Sequence, residues 1–355
     1  MNWNIRKTLD TVLAFPGHVP KPWLVGVLAI GWLVFISLLQ SSIDTKQPHR
    51  KEIIIGYMPV ISNLAVPILD HLTQQGNGIR FRALKYSSFA EMAASLRTGD
   101  IDVAFMIAPL AIVLRQQGED VKIIYIGNRH ESTLVTRKEL NIKSLTDLSG
   151  KTIAVPMRYS GHNLSILDLL KQNSLVGNVN IVEMNPPDMA VSLAAGSLDA
   201  YYVGEPFAAQ TLMSGDASLL FYVEDVWEGF ICNLAIVRQD LIDKEPDVVH
   251  LLVQSAARSG IWARENPREA SVIASRYWGQ PVDLIEYALT TPSERIVYSQ
   301  YIPVPAEIQK IANSMKKHNL TQSNDISGLI EDRFAKEADI QNVTSLASII
   351  PATNR

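Results

Sequence analysis

Apolar positions change their spacing along this chain, and each change marks a different kind of element. Residues 23–39, WLVGVLAIGWLVFISLL, form one run of seventeen with no charge and only Ser37 clearly polar. At 1.5 Å rise per residue, a helix of that length nearly crosses a hydrocarbon core of ~30 Å. The run exceeds the usual apolar stretch of a cleaved signal peptide, and Leu39 and Gln40 spoil a small-x-small cleavage site. It predicts an uncleaved signal anchor, a transmembrane helix over 23–39 within an N-terminal segment 1–49. Arg6, Lys7 and Lys21 precede the run and Lys46, Arg50 and Lys51 follow it, so the positive-inside rule leaves orientation open.

From Lys51 the pattern becomes short apolar strands alternating with amphipathic helices. Ile53, Ile54 and Ile55 read as a strand closed by Gly56 and Pro59, and a helix follows near residues 63–72. Residues 80–85 read as the next strand. Ser88 with Glu91 resembles a capping box, and Phe89, Met92, Ala93 and Leu96 recur at i, i+3, i+4 and i+7. Gly99 stops that helix and residues 103–107 return as a strand. A βαβα order predicts an α/β fold with parallel or mixed sheets covered by helices.

The pattern then repeats. Met92, Ala93, Ser95, Leu96, Gly99, Asp102 and Pro109 return 97 positions later as Met189, Ala190, Ser192, Leu193, Gly196, Asp199 and Pro206. Each copy reads as helix, Gly stop, short strand, and a Pro opening the next helix. A weaker echo relates the strand after Lys51 to the strand after Lys151. Part of this signal is the common vocabulary of α/β units, but an offset kept across helix, strand and Pro predicts two similar lobes. Leu134, Val135 and Thr136, and Leu234 to Val237, bracket the second copy as apolar strands. The expected domains are lobe one over 50–133 and 235–320, an inserted lobe two over 134–234, and a C-terminal extension over 321–355. Residues 326–340 can form one helix on lobe one or remain a tail.

Ligands in such units sit at the C-terminal ends of strands, which selects a set of loops. In lobe one these hold Met58 and Asn63, and Tyr86 and Ser87. In lobe two, Tyr159, Ser160 and His162 lie between a strand and a helix start, where free N–H groups favour an anion and His162 can donate or carry positive charge. The same residues equally describe an ordinary N-cap with a surface histidine. Glu205, in Gly204-Glu205-Pro206-Phe207, can ligate a cation, accept from a ligand, or favour a helix dipole. Trp227, Glu228 and Phe230 precede the return strand and can line the cleft or belong to the core.

Composition removes several classes. Among 355 residues, 32 are basic and 36 acidic for a net charge of −4, which excludes a polybasic nucleic-acid binder. The single Cys232 excludes a disulfide framework, a Cys-rich zinc site and a lipoprotein anchor after the N-terminal run. Gly150-Lys151-Thr152 is no P-loop, because Leu145 stands where the first Gly is needed and a strand follows. G-x-S-x-G, H-E-x-x-H and G-x-G-x-x-G are absent, and no histidines pair at metal-ligand spacing.

The motifs resemble the substrate-binding proteins of ABC importers for nitrate, sulfonate (taurine) and bicarbonate. The resemblance runs from about Lys51 to Asn319. It rests on Gly56-Tyr57-Met58-Pro59, on residues 97–104 (RTGDIDVA) and 145–156 (LTDLSGKTIAVP), on Ser160-Gly161-His162-Asn163-Leu164, and on residues 186–207. The last two look most like the nitrate and bicarbonate branch. It implies a two-lobed periplasmic-binding fold of type II, no catalysis, a globular part outside the cytoplasm, and permease and ATPase subunits as partners at the inner membrane. His162 and Glu205 then match ligand-contacting positions of that branch. Glu228 stands where nitrate binders carry a Lys, so two carboxylates would face an anion unless a divalent cation such as Ca²⁺ made Glu205 and Glu228 its ligands. An uncharged or cationic organic ligand would stack on Tyr57, Tyr86, Tyr159 and Trp227. A ligand-sensing module signalling to a membrane partner is the alternative from another class. A relative acting on pyrimidine precursors would need a reactive His or Cys constellation, and the sequence has none.

Overall fold

The computed structural model describes residues 22–44 and 50–351, and on its first helix the side chains of residues 26–37. The chain divides into two compact units, the second beginning at Lys51. The first unit contains α1 (Pro22–Asp44), 23 residues long. Val27, Leu28, Ile30, Trp32, Leu33, Val34, Phe35 and Ile36 are exposed on it. Among the described residues no helix is long and apolar enough to cross a membrane.

The second unit holds two five-stranded sheets. The first is built from β1 (Glu52–Tyr57), α2 (Ala65–Thr73), β2 (Arg80–Lys85), α3 (Phe89–Thr98), β3 (Val103–Ile107), α4 (Ala108–Gln116) and β4 (Val121–Ile126). The chain then enters the second sheet at β5 (Ser132–Arg137) and builds it from β6 (Thr152–Val155), α5 (Gly161–Gln172), β7 (Asn180–Glu183), α6 (Pro186–Ala194), β8 (Ala200–Gly204), α7 (Phe207–Ser214) and β9 (Ala217–Tyr222). It returns as β10 (Asn233–Arg238), which lies in the first sheet. Helices α8 (Gln239–Lys244), α9 (Pro246–Glu265), α10 (Pro267–Trp278), α11 (Val282–Thr290), α12 (Pro305–Lys317) and the short α13 (Arg333–Lys336) follow.

The sheet orders are β2-β1-β3-β10-β4 and β7-β6-β8-β5-β9. In each, four strands point the same way and one, β10 or β5, is antiparallel to both of its neighbours. Connections between parallel strands demand crossover helices, which is why α3 and α6 recur in the same places.

The repeat has a structural cause. Asp102 and Asp199 each accept from a backbone amide of the neighbouring strand, Ile54 N at 2.7 Å and Thr152 N at 2.9 Å. Each also donates its own amide to the carbonyl of that same residue. Gly99 and Gly196 end α3 and follow α6 at φ 84° and 79°, where a side chain would be strained. Ser88 caps α3 by accepting from Glu91 N at 3.4 Å.

The extension after α12 is not one helix. Gly328 sits at φ 67° and the Asp325 carboxylate binds Ser327, a turn that interrupts helical geometry. Ile330 bridges to Ile123 beside β4, and Leu329, Phe334, Ala335, Ile349 and Ile350 are buried. The segment therefore packs back onto the first half through coil and the short α13, not through one long helix.

Removing the repeated carboxylate leaves a strand amide without its partner, at a typical cost of ~1–3 kcal/mol. Asp102→Ala and Asp199→Ala are each expected to lower the unfolding free energy by that amount, read as a lower urea midpoint at unchanged slope. An unaltered midpoint for both would remove the carboxylates from the account of the repeat.

Candidate functional site

The C-terminal ends of β1 and β2 face those of β6 and β8, and the sequence places short polar or aromatic loops at each end. Two cavities open along this seam. One, of about 330 Å³, is lined by Pro59, Lys85, Tyr86 and Ser87 from the first half, by Pro187 and Phe207 from the second, and by Trp278 and Gln280. The other, of about 230 Å³, lies between Ser88, Phe89 and Ala90 and Pro156, Met157, Glu183, Met184 and Asn185. Tyr86 and Ser87 thus lie on the wall of the first of these cavities.

Between the cavities the halves are in contact. Ile61 N donates to Glu205 O at 2.8 Å, and Glu205 N to Glu131 O at 2.9 Å. Met58 and Asn63 are buried. Asn63 Nδ2 donates to Met58 O at 2.8 Å and its Oδ1 accepts from Asn233 on β10 at 3.0 Å. These two side chains fix the loop after β1 against the return strand.

Ser160 caps α5 by accepting from Asn163 N at 3.1 Å, and Tyr159 is half-buried with the Arg158 guanidinium 4.8 Å from its ring centre. His162 is buried, with its Nε2 2.9 Å from Ser132 Oγ and its ring edge-on to Tyr202 and Phe230. Burial lowers its pKa to about 3. His162 is therefore a neutral imidazole at pH 7 and brings no positive charge, unlike the exposed cation the sequence allowed. Its Nδ1 has no hydrogen-bond partner among the described residues.

Glu205 is also buried. Its Oε1 accepts from Thr133 Oγ1 at 2.7 Å, its Oε2 from Ala209 N at 2.8 Å, and Arg295 Nη1 stands 3.7 Å from Oε1. Burial raises its pKa while Arg295 opposes. Glu228 lies elsewhere, exposed on the wall of a third cavity of about 690 Å³ with Trp227, between α5 and α12. The two acids expected to share a cation are not brought together: the Glu205 oxygens are already occupied by protein donors. Among the described residues no group of three or more His, Cys, Asp or Glu side chains gathers to hold a metal.

Sequence reasoning missed Glu131. This acid sits on the first passage between the sheets, fully buried, with Ser62 Oγ donating to its Oε1 at 2.9 Å. A Cβ on Gly204 would fall 2.6 Å from that same oxygen, so a side chain where β8 ends would have to displace the Glu131 carboxylate. Burial drives the Glu131 pKa up to about 8. Cys232 and Ser62 hydrogen bonds and Arg295 oppose the shift, and the Glu205 carboxylate adds to it. The only sequence trace was the polar run Arg129-His130-Glu131 before an apolar strand. Arg295, the counter-charge, lies 163 residues beyond Ser132, whose carbonyl it binds.

With this geometry in hand, relatives can be placed. A family model described as the NMT1-like family matches residues 46–277. The chain belongs to the NMT1-like family. A taurine-binding periplasmic protein of Escherichia coli is 26% identical over 242 residues, 64% of this chain and 73% of that protein. A putative aliphatic sulfonates-binding protein of Bacillus subtilis is 22% identical over 306 residues, 84% and 90% of the two chains. In fold, the chain resembles the periplasmic nitrate-binding protein NrtA of Synechocystis, with TM-score 0.72 and 15% identity over 86% of this chain and 92% of that one. The two-sheet α/β architecture is thus that of periplasmic binding proteins. The family match spans β1 to α10, and so includes both sheets and both passages between them.

The acid at the seam gives a signed pH dependence. A carboxyl whose folded pKa is raised from 4.5 to about 8 holds a proton that the unfolded chain has lost. Its contribution to stability is therefore lost as pH rises from about 4.5 to about 8. Glu131→Gln, which mimics the protonated acid, is expected to flatten this slope in denaturation midpoints between pH 5 and pH 8. An equal slope in both proteins would contradict the assignment.

Proposed function

We propose that this chain is an extracytoplasmic solute-binding protein of an ABC importer, binding a small anion or small organic solute of the nitrate, bicarbonate or sulfonate class. The carrying observation is the strand-end cavity lined from both sheets by Tyr86 and Ser87 on one side and Pro187 and Phe207 on the other. The relatives named for taurine and sulfonates are binding proteins, and their role transfers to this chain as part of the proposal. No bond is made or broken, so no side chain is assigned a catalytic step.

In this reading the lobes expected over 50–133 with 235–320 and over 134–234 follow the two sheets, with the crossings at the starts of β5 and β10. The lobes close on the solute, and the closed form docks on a permease driven by ATPase subunits. Met58, Asn63, Ser160, His162 and Glu205 shape the cleft floor from buried positions, while Tyr86, Ser87 and Tyr159 offer contact surface. Trp227 and Glu228 flank the hinge. A cation accompanying the solute would need donors other than the Glu205 oxygens.

The same proposal keeps the chain on the inner membrane through α1, with the globular part outside the cytoplasm. Twenty-three helical residues rise ~34 Å, enough for a single span, and the sequence carries no charge between Pro22 and Ile43. The exposed apolar side chains of α1 are what lipid would cover.

Calorimetry of the full chain in detergent against nitrate, bicarbonate with calcium, and taurine tests the reading. One of these is expected to bind, and Tyr86→Ala to weaken it about tenfold, ~1.4 kcal/mol, at unchanged melting temperature. Absence of heat with every solute from folded protein would sink it.

A further inference from the structure

Helix α12 has two faces with different allegiances. Ile308, Ile311, Ala312 and Met315 are buried in the cluster that includes α4, β3 and β10, so the helix travels with the first lobe. Its opposite face meets α5, whose Ile166, Leu169 and Leu170 are buried in the second lobe's cluster. Any opening of the lobes therefore separates α5 from α12.

One set of charges crosses this boundary and a second lies at its edge, where α12 meets the passages between the sheets. Asp168 on α5 takes three α12-side partners: His318 Nε2 at 2.9 Å, Lys317 Nζ, and Ser314 Oγ at 3.5 Å. Together these donors hold the Asp168 carboxyl below its usual range against the cost of partial burial. The second set is Arg129 with Glu307, a bidentate pair at 2.8 and 2.9 Å. Arg129 also donates to the carbonyls of Gly229 and Gln300.

The two sets differ in how easily they part. The Arg129 side chain is 2% exposed and ties both passages between the sheets to α12, so breaking it strands a buried charge. Lys317 is 48% exposed and Asp168 28%, so water and salt can replace that contact at small cost. Between them lies the 690 Å³ cavity, across which the helices do not pack. One pair is a pivot and the other a fastening.

We propose that Asp168, with Lys317, His318 and Ser314, is a releasable electrostatic clasp that holds the lobes together before ligand arrives, and that Arg129 with Glu307 is the fixed pivot about which they part. The clasp rests on the two-lobed closure proposed above, but its test adds no solute, so its failure is separable from failure of solute binding.

The test is a spin-label distance measurement on the full chain in detergent, with labels at Gln117→Cys and Val176→Cys, both exposed, one in each lobe. Asp168→Asn is expected to raise the population at the longer interlobe distance about fivefold, the equivalent of an ion pair worth ~1 kcal/mol. Raising NaCl from 0.05 to about 1 M is expected to do the same to the parent and little to the variant, since the Debye length falls from over 10 Å to ~3 Å. The salt arm on the parent stands even if the variant folds poorly. Distances unchanged by both salt and Asp168→Asn, or a salt response equal in parent and variant, would overturn the clasp.

Discussion

The first sheet cannot be completed until the second has been made. Its fourth strand, β10, pairs with β3 on one side and β4 on the other, yet it is reached only after the whole of β5 to β9. Without it β4 has no strand partner in the sheet order. Every backbone amide that β10 satisfies is thus a constraint linking the two halves. The passages that carry the chain across must lie side by side, and they do: Arg129 bridges to Ile231, and Gly127 accepts no side chain because a Cβ would fall 1.9 Å from Ser62 O.

Burying two passages concentrates polar groups where water is scarce. Glu131, Ser132, Thr133, Glu205, His162 and Arg295 are all buried here. Arg295 serves Glu205, Glu224 and the Ser132 carbonyl at once. A seam of this kind is costly if any member loses its partner. The cavities on either side of the seam and the partly exposed contacts between α5 and α12 are the places where the structure is least committed.

Much of the architecture was legible because it rests on local rules used twice. The Asp102 and Asp199 carboxylates are the same solution to the same problem, an unpaired strand amide beside a crossover helix, and so they recur at a fixed offset. The loop holding Tyr86 and Ser87 was legible as a strand end, and the structure places both on a cavity wall. Glu131 was not, since its environment comes from Ser62, Gly204 and Arg295, which only the fold assembles. The charge state of His162 was hidden for the same reason. So was the separation of Glu228 from Glu205: spacing in sequence says nothing of which side of a passage a side chain faces. The segment after α12 stayed open between one helix and a tail, because its apolar residues suit a helix while Gly328 and Asp325 turn the chain.

The central claim is that two lobes joined by buried passages close on a solute. Solution scattering of the full chain in contrast-matched detergent, with and without the solute that gives heat, addresses it most directly. The account predicts a smaller radius of gyration for the globular part on saturation, with no change in mass. Bound solute with an unchanged scattering profile would contradict closure.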